Sequence, residues 1–199
     1  THLHTDNSRD AFVLGGAIAT PEDAFRFAKG QEIRASNGVA AKLRRPLDFL
    51  VVSDHAEFLG VVPRLAKADS ATIDWQPGRQ WSEFLHSGDI KKILSIYSQV
   101  PAGAKVPAQF AQSIWQDIAK TADRFNNPGR FTAFIGYEWS STPSGDNLHR
   151  NVIFRDGADR ATQFLPFSSL DSADVEKLWA YLRAYEAKTG GQVLAIPHN

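Results

Sequence analysis

The 199-residue chain contains no cysteine and no methionine. Without cysteine it can form neither a disulfide nor a thiolate metal site, which leaves the cytoplasm and an exported compartment equally open. The sequence has no apolar stretch of the ~18 residues that span a bilayer and no signal-peptide pattern. Twenty-two acidic and 22 basic residues balance without a basic run. Nothing therefore indicates a nucleic-acid-binding surface.

What is present fits one globular domain with a sizeable core, since 43% of residues are hydrophobic and 22% charged. The predicted order of elements is typical of an α/β fold with mainly parallel connections. Five strands are too few to close a barrel of the usual kind. The predicted strands are one carrying His2 and His4 and four more over 47–52, 130–137, 149–154 and 192–196. The predicted helices run from Thr20 to about Lys29 and over 175–185, where Gly190 ends the second. A helical insertion is predicted over about 60–127.

Five of the six histidines lie where an apolar run stops or a turn begins. They are His2, His4, His55, His149 and His198. Residues two apart in a strand face the same side, so His2 and His4 present two imidazoles together while Leu3 turns towards the core. Neutral imidazole is the commonest protein ligand for zinc-like cations. The pattern therefore indicates a metal site.

Further polar residues follow predicted strands directly. Asp54 and His55 come after the strand over 47–52, Glu138 after the next strand, and His198 after the last. Asp10 is expected in the loop after the first strand. Because active sites of parallel sheets lie at the carboxyl ends of strands, we expect these side chains to meet at one edge.

Each of these residues also has an ordinary structural interpretation. Asp54 can cap a turn, Glu138 can pair with Arg130, and Asp10 can be a plain loop acid. His86 is expected to bind the last carbonyls of its own helix and is left out of the site. Together, however, so many nitrogen and oxygen donors would be costly to bury without a cation.

At this point the sequence resembles a known superfamily. The motifs His2-Leu3-His4, Asp54-His55, Glu138, His149 and His198 resemble, in order, the metal-binding motifs of the PHP (polymerase and histidinol phosphatase) superfamily. The runs Pro-Leu-Asp-Phe-Leu-Val-Val-Ser-Asp-His, Gly-Tyr-Glu-Trp and Asn-Leu-His-Arg-Asn-Val-Ile-Phe-Arg-Asp-Gly resemble a bacterial branch of it. The resemblance covers nearly the whole chain.

The resemblance implies a distorted seven-stranded β/α barrel with two or three divalent metal ions (zinc, manganese or iron). It implies that residues 1–199 are the N-terminal part of such a domain, whose C-terminal remainder, with a late Asp-x-His motif, is missing. The metal ligands carried over are His2, His4, Asp10, His55, Glu138, His149 and His198. Glu138, His55 and Asp54 are assigned to the catalytic centre, with Asp54 either orienting an imidazole or capping a turn.

The function expected from this set is hydrolysis of phosphate esters, mono- or diester, by a metal-bound hydroxide. Arg150 and Arg9 are candidates for gripping the phosphate of a small-molecule substrate, although each can instead form a structural ion pair. An amidohydrolase-type enzyme also opens with His-x-His, but it usually bridges its metals through a strand-end lysine, which this chain lacks. A third hypothesis is a metal-binding module without catalysis. Related proteins often look exported, whereas substrate, localisation and oligomeric state stay open.

Overall fold

A computed structural model describes residues 2–100 and 104–198. The helices are α1 (Arg9–Val13), α2 (Pro21–Ala28), α3 (Val61–Leu65), α4 (Gln76–His86), α5 (Ile90–Ser98), α6 (Ala108–Phe125), α7 (Ala158–Ala161) and α8 (Val175–Thr189). The strands are β1 (His2–Leu3), β2 (Ile33–Arg34), β3 (Ala40–Ala41), β4 (Phe49–Val52), β5 (Thr132–Ser141), β6 (Leu148–Phe154) and β7 (Val193–Pro197). Two short 3₁₀ turns, Ser70–Thr72 and Pro143–Gly145, complete the elements.

The main sheet has five strands in the order β1-β4-β5-β6-β7. β1, β4 and β5 are parallel, whereas β6 is antiparallel to both β5 and β7. The expectation of mainly parallel connections is therefore wrong for β6. The reason is the length of the connection: residues 142–147 are too few for a crossover, which needs a dozen or more residues, so the chain turns back on itself.

The two faces of this sheet differ. On one face, Leu50, Tyr137 and Val152 are buried against helices, and the Trp115 ring of α6 lies 6.0 Å from the Tyr137 ring. On the other face, an open groove of about 770 Å³ runs over alternate residues of four strands. Its apolar lining residues are Phe49, Val51, Phe134, Ile153, Leu194 and Ile196. Within residues 2–100 and 104–198 the sheet is open, without closing into a barrel.

Several sequence predictions of local structure are confirmed. α2 begins after Thr20, whose hydroxyl accepts from the Asp23 backbone N–H while the Asp23 side chain accepts from the Thr20 N–H. This reciprocal cap satisfies two N–H groups that the first helical turn leaves free. The predicted helical insertion contains α3 to α6. Gly190, in a left-handed conformation that glycine adopts without strain, ends α8 as expected.

Other features were not predicted. α1 and the antiparallel pair β2–β3 had no counterpart among the predicted elements. Asp10, expected in a loop, lies in the first turn of α1, where a carboxylate is favoured by the helix dipole. No helix in the part of the chain that the structure describes combines the length and the apolarity needed to cross a membrane.

Candidate metal centre

Glu138 lies inside β5 rather than after it, because pairing with β6 extends that strand to Ser141. Its side chain points to the open face of the sheet, yet it is 0% exposed. The reversed direction of β6 brings His149, near the amino end of that strand, to the same edge as the carboxyl ends of β4 and β7. His55 and His198, which follow β4 and β7, reach the same place. The topology therefore gathers the residues that the sequence predicted.

Three imidazoles surround one carboxylate oxygen of Glu138. The Nε2 atoms of His2, His4 and His198 lie 3.9, 3.3 and 2.9 Å from Oε2. His2 and His4 are contributed by the first strand and its end, and His198 by the end of β7. This first group therefore joins the two ends of the described chain.

A second group surrounds the other oxygen, Oε1. His149 Nδ1 lies 2.8 Å and His55 Nδ1 3.2 Å from it. The hydroxyl of Ser140 donates to the same oxygen at 3.0 Å and lies 2.5 Å from His55 Nδ1. On its outer side, His55 Nε2 lies 3.5 Å from Asp10 Oδ2. All seven predicted ligands thus belong to one cluster centred on Glu138.

The geometry fits divalent cations. Two donors on one tetrahedral zinc ion, each about 2.0–2.1 Å from it, lie roughly 3.4 Å apart. The distances from the three Nε2 atoms to Oε2 bracket this value. Two groups can each hold an ion, namely His2 with His4 and Glu138, and His55 with Glu138 and His149. Glu138 belongs to both and can therefore bridge two ions.

The charges point the same way. Within the described residues, the ion-pair partners of Glu138 are imidazoles, so the expected alternative of a pair with Arg130 is not what surrounds it. Burial acts to raise the pKa of Glu138, but the imidazoles of His4 and His55 beside its oxygens hold the pKa well below its usual range. Burial lowers the pKa of His2 and of His149. A buried carboxylate among imidazoles calls for a positive charge beside it.

His55 is the exception among the rings. Burial acts to lower its pKa, but hydrogen bonds and charges from Asp10 and Glu138 raise it to about 10. The hydrogen bond from His55 in turn lowers the pKa of Asp10 to about 2. Without a metal ion, a proton on His55 thus neutralises part of the negative charge that a cation would otherwise meet.

Asp54 lies beneath the cluster and is 2% exposed. Its Oδ1 accepts from the Thr5 N–H at 2.5 Å and from the Ser8 hydroxyl at 2.8 Å, and its Oδ2 accepts from the Thr5 hydroxyl at 2.7 Å. Burial raises its pKa against these bonds. Ser8 Oγ lies 2.8 Å from His4 Nδ1, so the carboxylate reaches an imidazole through one hydroxyl.

The two candidate substrate arginines lie in different settings. Arg150 is paired across the sheet with Trp139, so its side chain leaves the face opposite to that of Glu138, and it donates to the His149 carbonyl at 2.8 Å. The Arg9 guanidinium lies 5.2 Å from the centre of the Phe58 ring and 5.1 Å from that of Tyr97. These contacts are those of a packed cation on aromatic faces.

Three residues near the cluster were missed from the sequence. Ser140 and Asn151 lie on the same face as Glu138, two residues beyond Glu138 and His149 respectively. Because residues two apart in a strand share a face, the sequence spacing could have placed both residues beside the cluster. Asn151 is 4% exposed, and its Oδ1 has no hydrogen-bond partner among the described residues. Ser8 had no such signal, because only the tertiary fold brings it to His4.

His86 binds the Ser82 carbonyl at 2.7 Å in α4, as expected, outside the cluster.

Comparisons with known proteins add a family. A search of curated proteins and a search of solved structures each found no match. A family model described as "Protein of unknown function (DUF3604)" matches residues 1–199. Since the match covers the whole chain, the protein belongs to the DUF3604 family.

Proposed function

We propose that this protein is a metal-dependent hydrolase of phosphate esters that works with two or three divalent cations at the Glu138 cluster. The observation that carries the proposal is the division of the imidazoles between the two oxygens of one buried carboxylate. Such an arrangement suits a pair of cations held a short distance apart, which is a recurring device of phosphoester-cleaving enzymes.

The donor set supports cation binding without selecting the ion. Imidazole and carboxylate without thiolate suit zinc, manganese and iron alike. Cations bound here would lower the pKa of a coordinated water to about 7 and offset charge that builds on a phosphoryl oxygen. Ligand positions would be filled by His2, His4 and His198 on one side and by His55, His149 and Asp10 on the other.

The open groove beside the Glu138 cluster gives a substrate access to it, and polar side chains nearby can bind that substrate. The open groove reaches the cluster at His2 and His198, and Asn151 lies on its wall. The amide of Asn151, whose oxygen lacks a partner, can bind a polar substrate group. Arg150, which follows His149 in the chain, stays a candidate for the substrate phosphate because a guanidinium matches a phosphate bidentately. Arg9, packed between two rings, is better suited to holding α1 against α5.

The resemblance to the PHP superfamily supports the same proposal. The fold that this resemblance implies is a barrel. The five-stranded sheet would form one part of its wall, with the open apolar face turned inwards. A barrel interior filled by alternate apolar side chains requires such a face. The alternation of Phe49 with Val51 and of Leu194 with Ile196 along that face is consistent with this requirement.

Two alternatives lead to different expectations. An amidohydrolase-type enzyme would cleave amides or lactones in preference to phosphoesters, although the shared carboxylate of Glu138 takes the place of its usual bridging lysine. A non-catalytic module would bind cations and turn over nothing. The completeness of the donor set favours catalysis over such a module, because every donor predicted within residues 2–198 lies in the cluster.

The experiment is a hydrolysis assay with para-nitrophenyl phosphate, its diester, an amide and a lactone, each with added zinc or manganese. We expect cleavage of a phosphoester that excess chelator removes and that added metal restores. His4→Ala should lower the rate by at least about 100-fold, because even supporting residues of metal ligands commonly contribute 10–100-fold. Circular dichroism should show that this variant is folded. Undiminished phosphoester cleavage in excess chelator would reject the proposal.

A further inference from the structure

Ser8 occupies a position whose usual hydrogen bond it does not make. It is the residue before α1, where a serine hydroxyl normally accepts from an N–H of the first helical turn. Here the side chain makes no such cap. Ser8 is 0% exposed, and its hydroxyl turns instead towards Asp54 and His4. Ser8 therefore does not stabilise α1 by capping it, and its hydroxyl instead contacts residues next to the metal cluster.

The three contacts of this hydroxyl can be assigned by counting protons. A serine oxygen carries one proton and accepts through its two lone pairs. The backbone N–H of His55 donates to Ser8 Oγ at 3.1 Å, which occupies one lone pair. Asp54 accepts from Thr5 on both of its oxygens, and the Ser8 hydroxyl likewise donates its proton to Asp54 Oδ1 at 2.8 Å. The remaining lone pair faces His4 Nδ1 at 2.8 Å.

From this arrangement we propose that Ser8 is a positioning residue that fixes the tautomer of His4. The His4 ring donates its proton from Nδ1 to Ser8 and keeps Nε2 as a bare lone pair directed at the cluster. The inference deepens the proposed function and rests on it, since the lone pair matters only if a cation binds there. Asp54 takes part at a distance, because it holds the orientation of the Ser8 hydroxyl.

The other end of the His4 ring agrees with this assignment. Nε2 lies 3.3 Å from Glu138 Oε2, a separation suited to two ligands of one ion. Without a cation, a bare nitrogen facing a carboxylate oxygen repels it, so the accepting Ser8 hydroxyl has to keep the proton on Nδ1 against that repulsion. The relay from Asp54 through Ser8 therefore prepares His4 as a metal ligand before any ion arrives, which removes the need to move a proton on binding.

The first test needs no metal and no variant of Ser8. Nitrogen-15 spectra of the metal-free protein, recorded at a pH where they show a singly protonated His4 ring, report which ring nitrogen carries that proton. The His4 signals are identified by their loss in His4→Gln. We expect Nδ1 protonated and Nε2 bare. A His4 ring protonated on Nε2 would overturn the inference, whether or not the protein hydrolyses anything.

The second test measures zinc affinity by competition with a coloured chelator. Ser8→Ala should weaken binding by about 10–100-fold, as loss of such supporting residues commonly does. Ser82→Ala is the matched control, because Ser82 is also 0% exposed and donates to the Leu65 carbonyl at 3.0 Å, which is not part of the cluster. Its affinity should stay within about twofold of the parent protein's.

The outcomes separate the inference from the proposed function. Equal losses in Ser8→Ala and Ser82→Ala, or no loss in either, would overturn the role of Ser8. If Ser8→Ala does not fold, the tautomer of the parent protein decides alone. Tight zinc binding without phosphoester hydrolysis would contradict the proposed activity and leave the role of Ser8 standing.

Discussion

The backbones of His55 and Glu138 are locked in register with each other. The Glu138 N–H donates to the Asp54 carbonyl at 2.9 Å, and the Ala56 N–H donates to the Glu138 carbonyl at 2.8 Å, one on each side of His55. Their side chains meet at 3.2 Å. This double anchor holds the Glu138 carboxylate from β5 against the imidazole that follows β4, so the cluster is positioned by the sheet rather than by free loops.

If Glu138 bridges two ions, single ligands should control single ions. His2→Ala removes a donor near Oε2, and His149→Ala removes one near Oε1. We expect each variant to retain about one zinc ion per chain where the parent protein binds two, as measured by atomic emission after dialysis.

The control for this experiment is His86→Ala, which removes an imidazole that binds its own helix outside the cluster. Its zinc content should equal that of the parent protein. Loss of both ions in His2→Ala and in His149→Ala would indicate one shared site and contradict two separable ones.

A residue without a side chain also supports the site. A Cβ on Gly136 would lie 2.5 Å from Val51 Cγ2 and 2.6 Å from the Val152 carbonyl oxygen. Because one of these neighbours is backbone, Gly136→Ala should lower the free energy of unfolding of the metal-free protein by about 1–3 kcal/mol. Urea denaturation measures this.

Gly157→Ala is the control, since its Cβ would come only to 3.3 Å from Asp123 and Asp159 side-chain oxygens, which can move. We expect it to lower the free energy of unfolding by less than about 1 kcal/mol. Equal effects of the two substitutions would show that the close packing of β5 next to Glu138 is not special.

The raised pKa of His55 predicts a pH-dependent stability of the metal-free protein. Since Asp10 and Glu138 raise this pKa from 6.5 to about 10, the folded state holds the proton more tightly than the unfolded state. The stabilisation is fully present below about pH 6.5 and is lost as the pH rises to about 10. We expect the difference in free energy of unfolding between the parent protein and His55→Gln to shrink by at least about 1 kcal/mol between pH 6 and pH 10.

Comparing the two proteins at each pH removes the contributions of groups that His55 does not affect, such as His2, whose lowered pKa acts in the opposite direction. A difference that stays constant across this range would show that His55 carries no extra proton in the folded state. Urea denaturation in the presence of chelator gives both series.

Much of the site could be predicted because strand ends obey simple rules. His2 and His4 share a face by alternation, and His55 and His198 follow apolar strands, so their convergence required only the topology of an α/β sheet. The extent of β5 could not be read in the same way. Glu138 lies within that strand because β6 pairs alongside it, which is a tertiary effect.

The supporting residues were harder to predict than the candidate ligands. Ser8 looks like a helix cap in the sequence, and only the approach of Asp54, 46 residues away, turns its hydroxyl elsewhere. Arg9 likewise appears in the sequence as a cation available to a substrate, but in the structure Tyr97 of α5 packs against its guanidinium. Contacts between distant segments thus decide such roles, whereas periodicity decides which residues face the cluster.

The central claim is that one carboxylate holds two cations together, and Glu138→Gln tests it most directly. Glutamine keeps the shape of the side chain and removes its charge. The account predicts that zinc content falls from two ions per chain to one or none, while Glu57→Gln, which alters a carboxylate bound to Ser169, keeps two. Two tightly bound zinc ions in Glu138→Gln would contradict it.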